Sequence, residues 1–184
     1  MSIYRNFEIS TDCMPHLVYP STKYKKSYLL SLRAFQREGR DLNINYQQLT
    51  KDFAGFIKEC RSEEKGIGLK NGRVPQTKYW LVEGDKFLGE TNIRHYLNEN
   101  LRKIGGHIGY KINPKYRLKG NGKLICKLAL LKAKKLGLKK VLITCNEDNI
   151  GSKKIIEANG GKFASRAWSD EEKKTKLRYW ITIS

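Results

Sequence analysis

Apolar positions at spacings of three and four open the chain's readable pattern. Tyr24, Tyr28, Leu32 and Phe35 form one helical stripe, with Ser21 or Thr22 as N-cap and Gly39 as stop. Leu49, Phe53, Phe56, Ile57 and Cys60 place a second helix within 45–61, and the charged, Gly-containing stretch 61–74 reads as a loop. The period then shortens to that of strands. Residues 79–82 (YWLV) and 87–95 (FLGETNIRH) are two strands of a meander joined by the turn 83–86. A polar loop over 98–103 leads to a strand from Gly106, where Ile108, Tyr110 and Ile112 alternate with Gly109 and Lys111. Pro114 ends it, because proline supplies no backbone donor and pushes Asn113 out of helical geometry. Leu124, Leu128, Ala129 and Leu131 resume the helical period until Gly137. The β-branched run 140–145 reads as an interior parallel strand, and Asn149 and Ser152 open a short helix ending at Gly160-Gly161. Strands at 162–168 and 176–183, joined by a charged turn, close the chain, and residues 3–10 form a poor first strand. No linker or repeat interrupts this order, so residues 1–184 read as a single α/β domain.

Between the strand ending at Ile112 and the helix beginning near Lys123 lies Arg117-Leu118-Lys119-Gly120-Asn121-Gly122. A basic, Gly-containing loop entering a helix is an anion site, since unpaired N–H groups and the helix dipole both favour negative charge there. Gly120 and Gly122 allow a phosphate close to the backbone, and Arg117, Lys119 and Lys123 add charge. The run is neither a P-loop, lacking G-x-x-x-x-G-K-[ST], nor a dinucleotide fingerprint, whose third Gly would fall on Ile125.

This R-x-x-G-x-G run resembles the pyrophosphate loop of the GNAT superfamily of N-acetyltransferases. The similarity extends from about Val74 to Gly161 and includes the segment TCNEDNIGSKKIIEANGG with its N-x-x-S. It implies a GNAT fold, with a central mixed, mostly antiparallel sheet flanked by helices, and the first two helices shaping the acceptor pocket. It also implies acetyl-CoA as cosubstrate, in contact with Ile112, Arg117, Leu118, Lys119, Gly120, Asn121, Gly122, Lys123, Asn149 and Ser152, and an oxyanion donor near Tyr110 to Ile112. The tyrosine acid that many of these enzymes carry seven residues after the helix-opening Asn is replaced by Ile156. Either the thiolate leaves unaided or another group replaces the acid, with Tyr110 and Cys145 as candidates. The central strand also lacks the glutamate base common in the superfamily, which leaves Glu90, His95 and His107 as candidates, His107 because it titrates near neutral pH. His107, Tyr110 and Glu90 are carried forward as the catalytic set. Arg94, beside His95, is a candidate for binding an acidic acceptor. The acceptor is a small-molecule or peptide amine, and the resemblance allows a homodimer built by extending the sheet at 176–183.

Composition changes this picture little. A hydrophobic content of 39% supports a packed core, and no apolar run approaches the roughly 20 residues of a membrane span. The N-terminal stretch lacks the basic and apolar regions of a secretory signal, and Cys13, Cys60, Cys126 and Cys145 form no C-x-x-C, so reduced thiols in the cytoplasm are expected. Cys13 and His16 alone are too few for a metal site, and no metal is expected. The net charge of +19 favours polyanions, but lysines flank nearly every apolar segment, so a generally basic surface explains it better than nucleic-acid binding. A coenzyme A-binding module without turnover, or a basic nucleic-acid-binding protein, are the alternatives to an enzyme.

Overall fold

The computed structural model describes residues 14–183. The strand expected at 3–10, and Cys13 with it, lie outside the described residues. The described residues open with β1 (His16–Val18), followed by a short 3-10 turn and α1 (Lys25–Arg37). Ser21 caps the turn, its hydroxyl accepting the Lys23 N–H at 3.3 Å. The expected helix over 45–61 is two helices, α2 (Tyr46–Lys51) and α3 (Phe53–Glu64). Asp52 divides them because its carboxylate accepts the Gly55 N–H at 2.7 Å and starts a new helix. α3 also runs four residues into the stretch expected as loop.

The strands form two antiparallel sheets. β2 (Gln76–Glu83), β3 (Lys86–Arg94) and β4 (Ile108–Ile112) join β1 in the order β1-β2-β3-β4. After α4 (Asn121–Lys135) come β5 (Lys140–Asn146), α5 (Ile150–Ala158), β6 (Lys162–Ser169) and β7 (Lys174–Thr182), with sheet order β5-β7-β6. The flanked, mostly antiparallel α/β architecture is therefore present, with one correction: β5 pairs with β7 alone and antiparallel, not as a parallel interior strand. The polar loop expected at 98–103 contains one wide helical turn, Leu101–Gly105. β7 is paired on both edges, so the segment expected to extend a sheet across an interface has no free edge to offer.

One face of the first sheet packs on α1 to α3 through an aromatic core. Tyr28 stacks on Trp80 at 4.6 Å between centroids and meets Phe87 edge-on at 5.1 Å. α4 packs with the other side and the second sheet through Ile125, Cys126, Ala129 and Ala133, all fully buried. Covered on both faces, β2 reads as the continuous run Tyr79–Val82 and not as an alternation. Among the described residues no helix is long and apolar enough to cross a membrane.

Candidate functional site

β4 and β5 touch at one end and then part. At the joined end the His107 N–H donates to the Leu142 carbonyl at 2.7 Å, and the Leu142 N–H donates to His107 Nδ1 at 2.9 Å. Gly106, at φ 72, makes this approach possible, since a Cβ there would lie 2.7 Å from the Leu142 oxygen. Beyond this staple β4 is paired only with β3, so its other edge faces a cleft of about 500 Å³. Tyr110, Thr144, Cys145, Asn149 and Ser152 line it, with Arg40, Asp41, Lys111 and Lys176 at its charged parts. Such an open edge offers backbone donors and acceptors to an extended ligand.

The loop at the end of β4 turns into α4 through two left-handed residues, Leu118 at φ 59 and Gly120 at φ 81. Space around Gly120 is open, whereas a Cβ on Gly122 would meet Ile155 Cδ1 at 2.5 Å. Gly122 thus serves the packing of α4 against α5, a reason unrelated to the phosphate approach expected of it. Leu124 is the first residue of α4 whose N–H closes on a carbonyl of the loop, that of Gly120 at 3.1 Å. Lys119 and Lys123 are exposed beside this helix start. Asn121 is buried, its amide donating to the Tyr116 carbonyl at 2.9 Å, and so shapes the loop from within. Arg117 is occupied in this structure. Its Nε donates to the Ile112 carbonyl at 3.0 Å, and its two terminal nitrogens grip both Glu38 oxygens at 2.8 and 2.6 Å. That hydrogen-bonded pair holds the Glu38 carboxyl below its ordinary range.

The proposed catalytic residues separate. Tyr110 reaches across the cleft, its hydroxyl donating to the Ser152 carbonyl at 3.5 Å, and burial raises its pKa well above the ordinary value. Asn149 is on the same wall, but its side chain caps α5 by accepting the Ser152 N–H at 3.0 Å. Cys145 is buried in the cleft wall, where burial pushes its thiol pKa up. Ile156, at the usual position of the acid, is fully buried in the core. His107 is not suited to the base role expected of it. Its Nδ1 is taken by Leu142, it is 7% exposed, and burial, with Arg102 and Arg94 nearby, lowers its pKa to about 4. It is a neutral junction residue. His95 accepts or donates at 2.9 Å to Thr77, away from the cleft lining, while the Arg94 guanidinium donates to the Gly106 carbonyl at 2.9 Å, supporting the junction.

Glu90 stands behind the cleft wall. It faces Lys111 in the β3–β4 ladder, and Lys111 Nζ lies 3.1 Å from its Oε1 while also pairing with Asp41. Burial, the largest single influence on Glu90, pushes its pKa up, but Lys78 and Lys111 together outweigh it and the carboxyl is held low. Lys78 lines a second cavity, of about 550 Å³, among α2, α3 and the 66–73 loop. Asp41 and Lys111 are the residues that sequence reasoning passed over. A lysine within an otherwise apolar, Gly-containing strand was their one visible signal.

A family profile described as an acetyltransferase (GNAT) domain matches residues 30–162, more than two thirds of the chain. The chain belongs to the GNAT acetyltransferase family. Solved GNAT structures share its fold at low identity. The microcin self-immunity acetyltransferase MccE, in complex with acetyl-CoA and AMP, is 15% identical with a TM-score of 0.66, covering 91% of each chain. A Salmonella typhimurium acetyl transferase that modifies the N-terminal serine of a 50S ribosomal subunit protein is 12% identical, TM-score 0.66, covering 91% of this chain and 94% of its own. Mycobacterium smegmatis RimJ, in complex with CoA-disulfide, is 14% identical, TM-score 0.67, covering 93% and 83%. No curated protein sequence matches the chain. No group of three or more His, Cys, Asp or Glu side chains able to hold a metal occurs among the described residues.

Proposed function

We propose that this protein transfers the acetyl group of acetyl-CoA directly to a primary amine. The observation that carries the reading is the unpaired edge of β4 running into the N-terminus of α4 at Gly120. The edge suits the amide-bearing pantetheine arm, and the helix N-terminus with Lys119 and Lys123 suits the diphosphate. Arg117 and Ile112 then contribute chiefly by fixing the loop, since their polar groups already satisfy one another. Asn149 and Ser152 form the facing wall. In the transfer the acceptor, arriving as an ammonium, first gives one proton to solvent; its nitrogen then bonds to the carbonyl carbon, the C–S bond breaks, and a second nitrogen proton ends on sulfur. Tyr110, holding its proton at neutral pH, takes the role of donor to the leaving thiolate in this reading, in place of the tyrosine that Ile156 replaces. The amine is carried by a small molecule or a peptide, a range that includes the protein N-termini on which some structural neighbours act.

Calorimetric titration of the parent and of Gly120→Asp with acetyl-CoA tests the reading. Aspartate tolerates the left-handed region and meets no clash, so the variant folds while placing a negative charge at the helix start. Binding by the parent and its loss in the variant are expected. Equal binding by both would remove the diphosphate from this loop.

A further inference from the structure

Lys111 reaches from β4 into a set of groups suited to holding an ammonium. Its Nζ pairs with Asp41, lies 3.1 Å from Glu90 Oε1, and stands 4.8 Å from the centroid of the Phe35 ring. Two carboxylates and an aromatic face together recognise a primary ammonium. The site also has capacity that Lys111 leaves unused. Glu90 is only 6% exposed, yet its Oε2 has no hydrogen-bond partner among the described residues. The indole N–H of Trp80 helps to hold this carboxyl ionised, but falls outside hydrogen-bond geometry and is itself unpartnered. A buried carboxylate oxygen with nothing to accept is costly, and a lysine tethered to β4 satisfies only its neighbour. Access exists, because Asp41 and Lys111 line the same cleft as Tyr110 and have side chains 21% and 19% exposed.

We propose that Asp41, Glu90 and Phe35 form the subsite for the acceptor's ammonium, and that Lys111 is its resting occupant. The proposal rests on the acetyltransferase reading above and narrows its acceptor to a primary ammonium on an unbranched aliphatic stem, the chemistry the site already holds. An untethered ammonium takes over both ion pairs and gives Glu90 Oε2 the donor it lacks. The carboxylates then carry away the proton that goes to solvent, while the thiolate receives the other.

The test uses Lys111→Ala in the full chain, with n-propylamine supplying the atoms removed beyond Cβ. Propylammonium is expected to raise the melting temperature of the variant more than that of the parent, with 1-propanol giving no rise. With acetyl-CoA present, propylamine is expected to release free coenzyme A thiol on the order of tenfold faster from the variant, since the competing occupant is gone. No melting shift in a variant that still binds acetyl-CoA would overturn the subsite and leave the acetyltransferase standing. A shift without faster thiol release would also overturn it, as an ammonium site out of reach of the thioester. Failure of the parent to bind acetyl-CoA would sink the underlying reading instead. Should Lys111→Ala not fold, Lys111→Thr, which suits a strand and likewise leaves the ammonium's place empty, carries the same readouts.

Discussion

His107 shows how one side chain can be assigned by its hydrogen bonds where its residue type misleads. In the sequence it is a histidine opening the central strand, and neutral-range titration recommends it as a base. In the fold its Nδ1 accepts the Leu142 N–H, which places the remaining proton on Nε2, and its pKa falls from 6.5 to about 4. Between these values the unfolded chain binds the proton and the folded chain does not. The group therefore leaves stability intact above pH 6.5 and removes it progressively as pH falls to about 4. The loss is on the order of 3 kcal/mol at most. Urea unfolding across that range should show the decline in the parent and a flatter curve in His107→Asn, which keeps an acceptor for Leu142. Equal slopes would assign the decline to other groups. Tyr110 was legible because it alternates on an evident strand. Glu90 was legible only as a lone carboxylate; its meeting with Asp41 at Lys111 was not, since that depends on ladder register and on a left-handed turn at Asp41, φ 53, neither of which leaves a local sequence signal.

Elements with a long, uninterrupted period were readable to within a few residues: α1, α4, β2 and the β6–β7 hairpin. The break at Asp52 was hidden because Leu49, Phe53 and Phe56 keep helical spacing across it, so the apolar stripe continues while the hydrogen bonding restarts. The wide turn at Leu101–Gly105 was hidden by its polar sequence; the Thr144 hydroxyl anchors it to β5, donating to the Ile104 carbonyl at 2.8 Å. β5 announced its burial but not its partner, because apolar runs carry no direction. What lets β4 and β5 meet before they part is Gly106, whose φ of 72 with ψ of −180 belongs almost only to glycine. Gly106→Ala combines that strain with a Cβ only 2.7 Å from the Leu142 oxygen, and a loss of about 2–4 kcal/mol is expected. A urea midpoint close to the parent's would mean that the staple yields easily.

The whole molecule consists of two sheets meeting along one cleft, and a ligand in that cleft touches both. Acetyl-CoA at a hundred times its dissociation constant should stabilise the folded state by about 2.7 kcal/mol, read as a rise in melting temperature that Gly120→Asp does not share. At this scale composition had least to say. Among the described residues the ion-paired acids include Glu38 with Arg117, Glu147 with Arg166, Asp148 with Lys174 and Glu172 with Lys176, against 37 Lys and Arg in the chain, so the excess charge of +19 is largely lysine spread over the surface. The two sheets also divide the chain in time. Every strand of the first precedes Asn113 and every strand of the second follows Leu138, so a chain emerging from the ribosome can close its aromatic core, Tyr24 to Phe87, before β5 exists. During that interval β4 has only one neighbour, and its bare edge is the place where a nascent chain is most exposed to pairing with the wrong peptide.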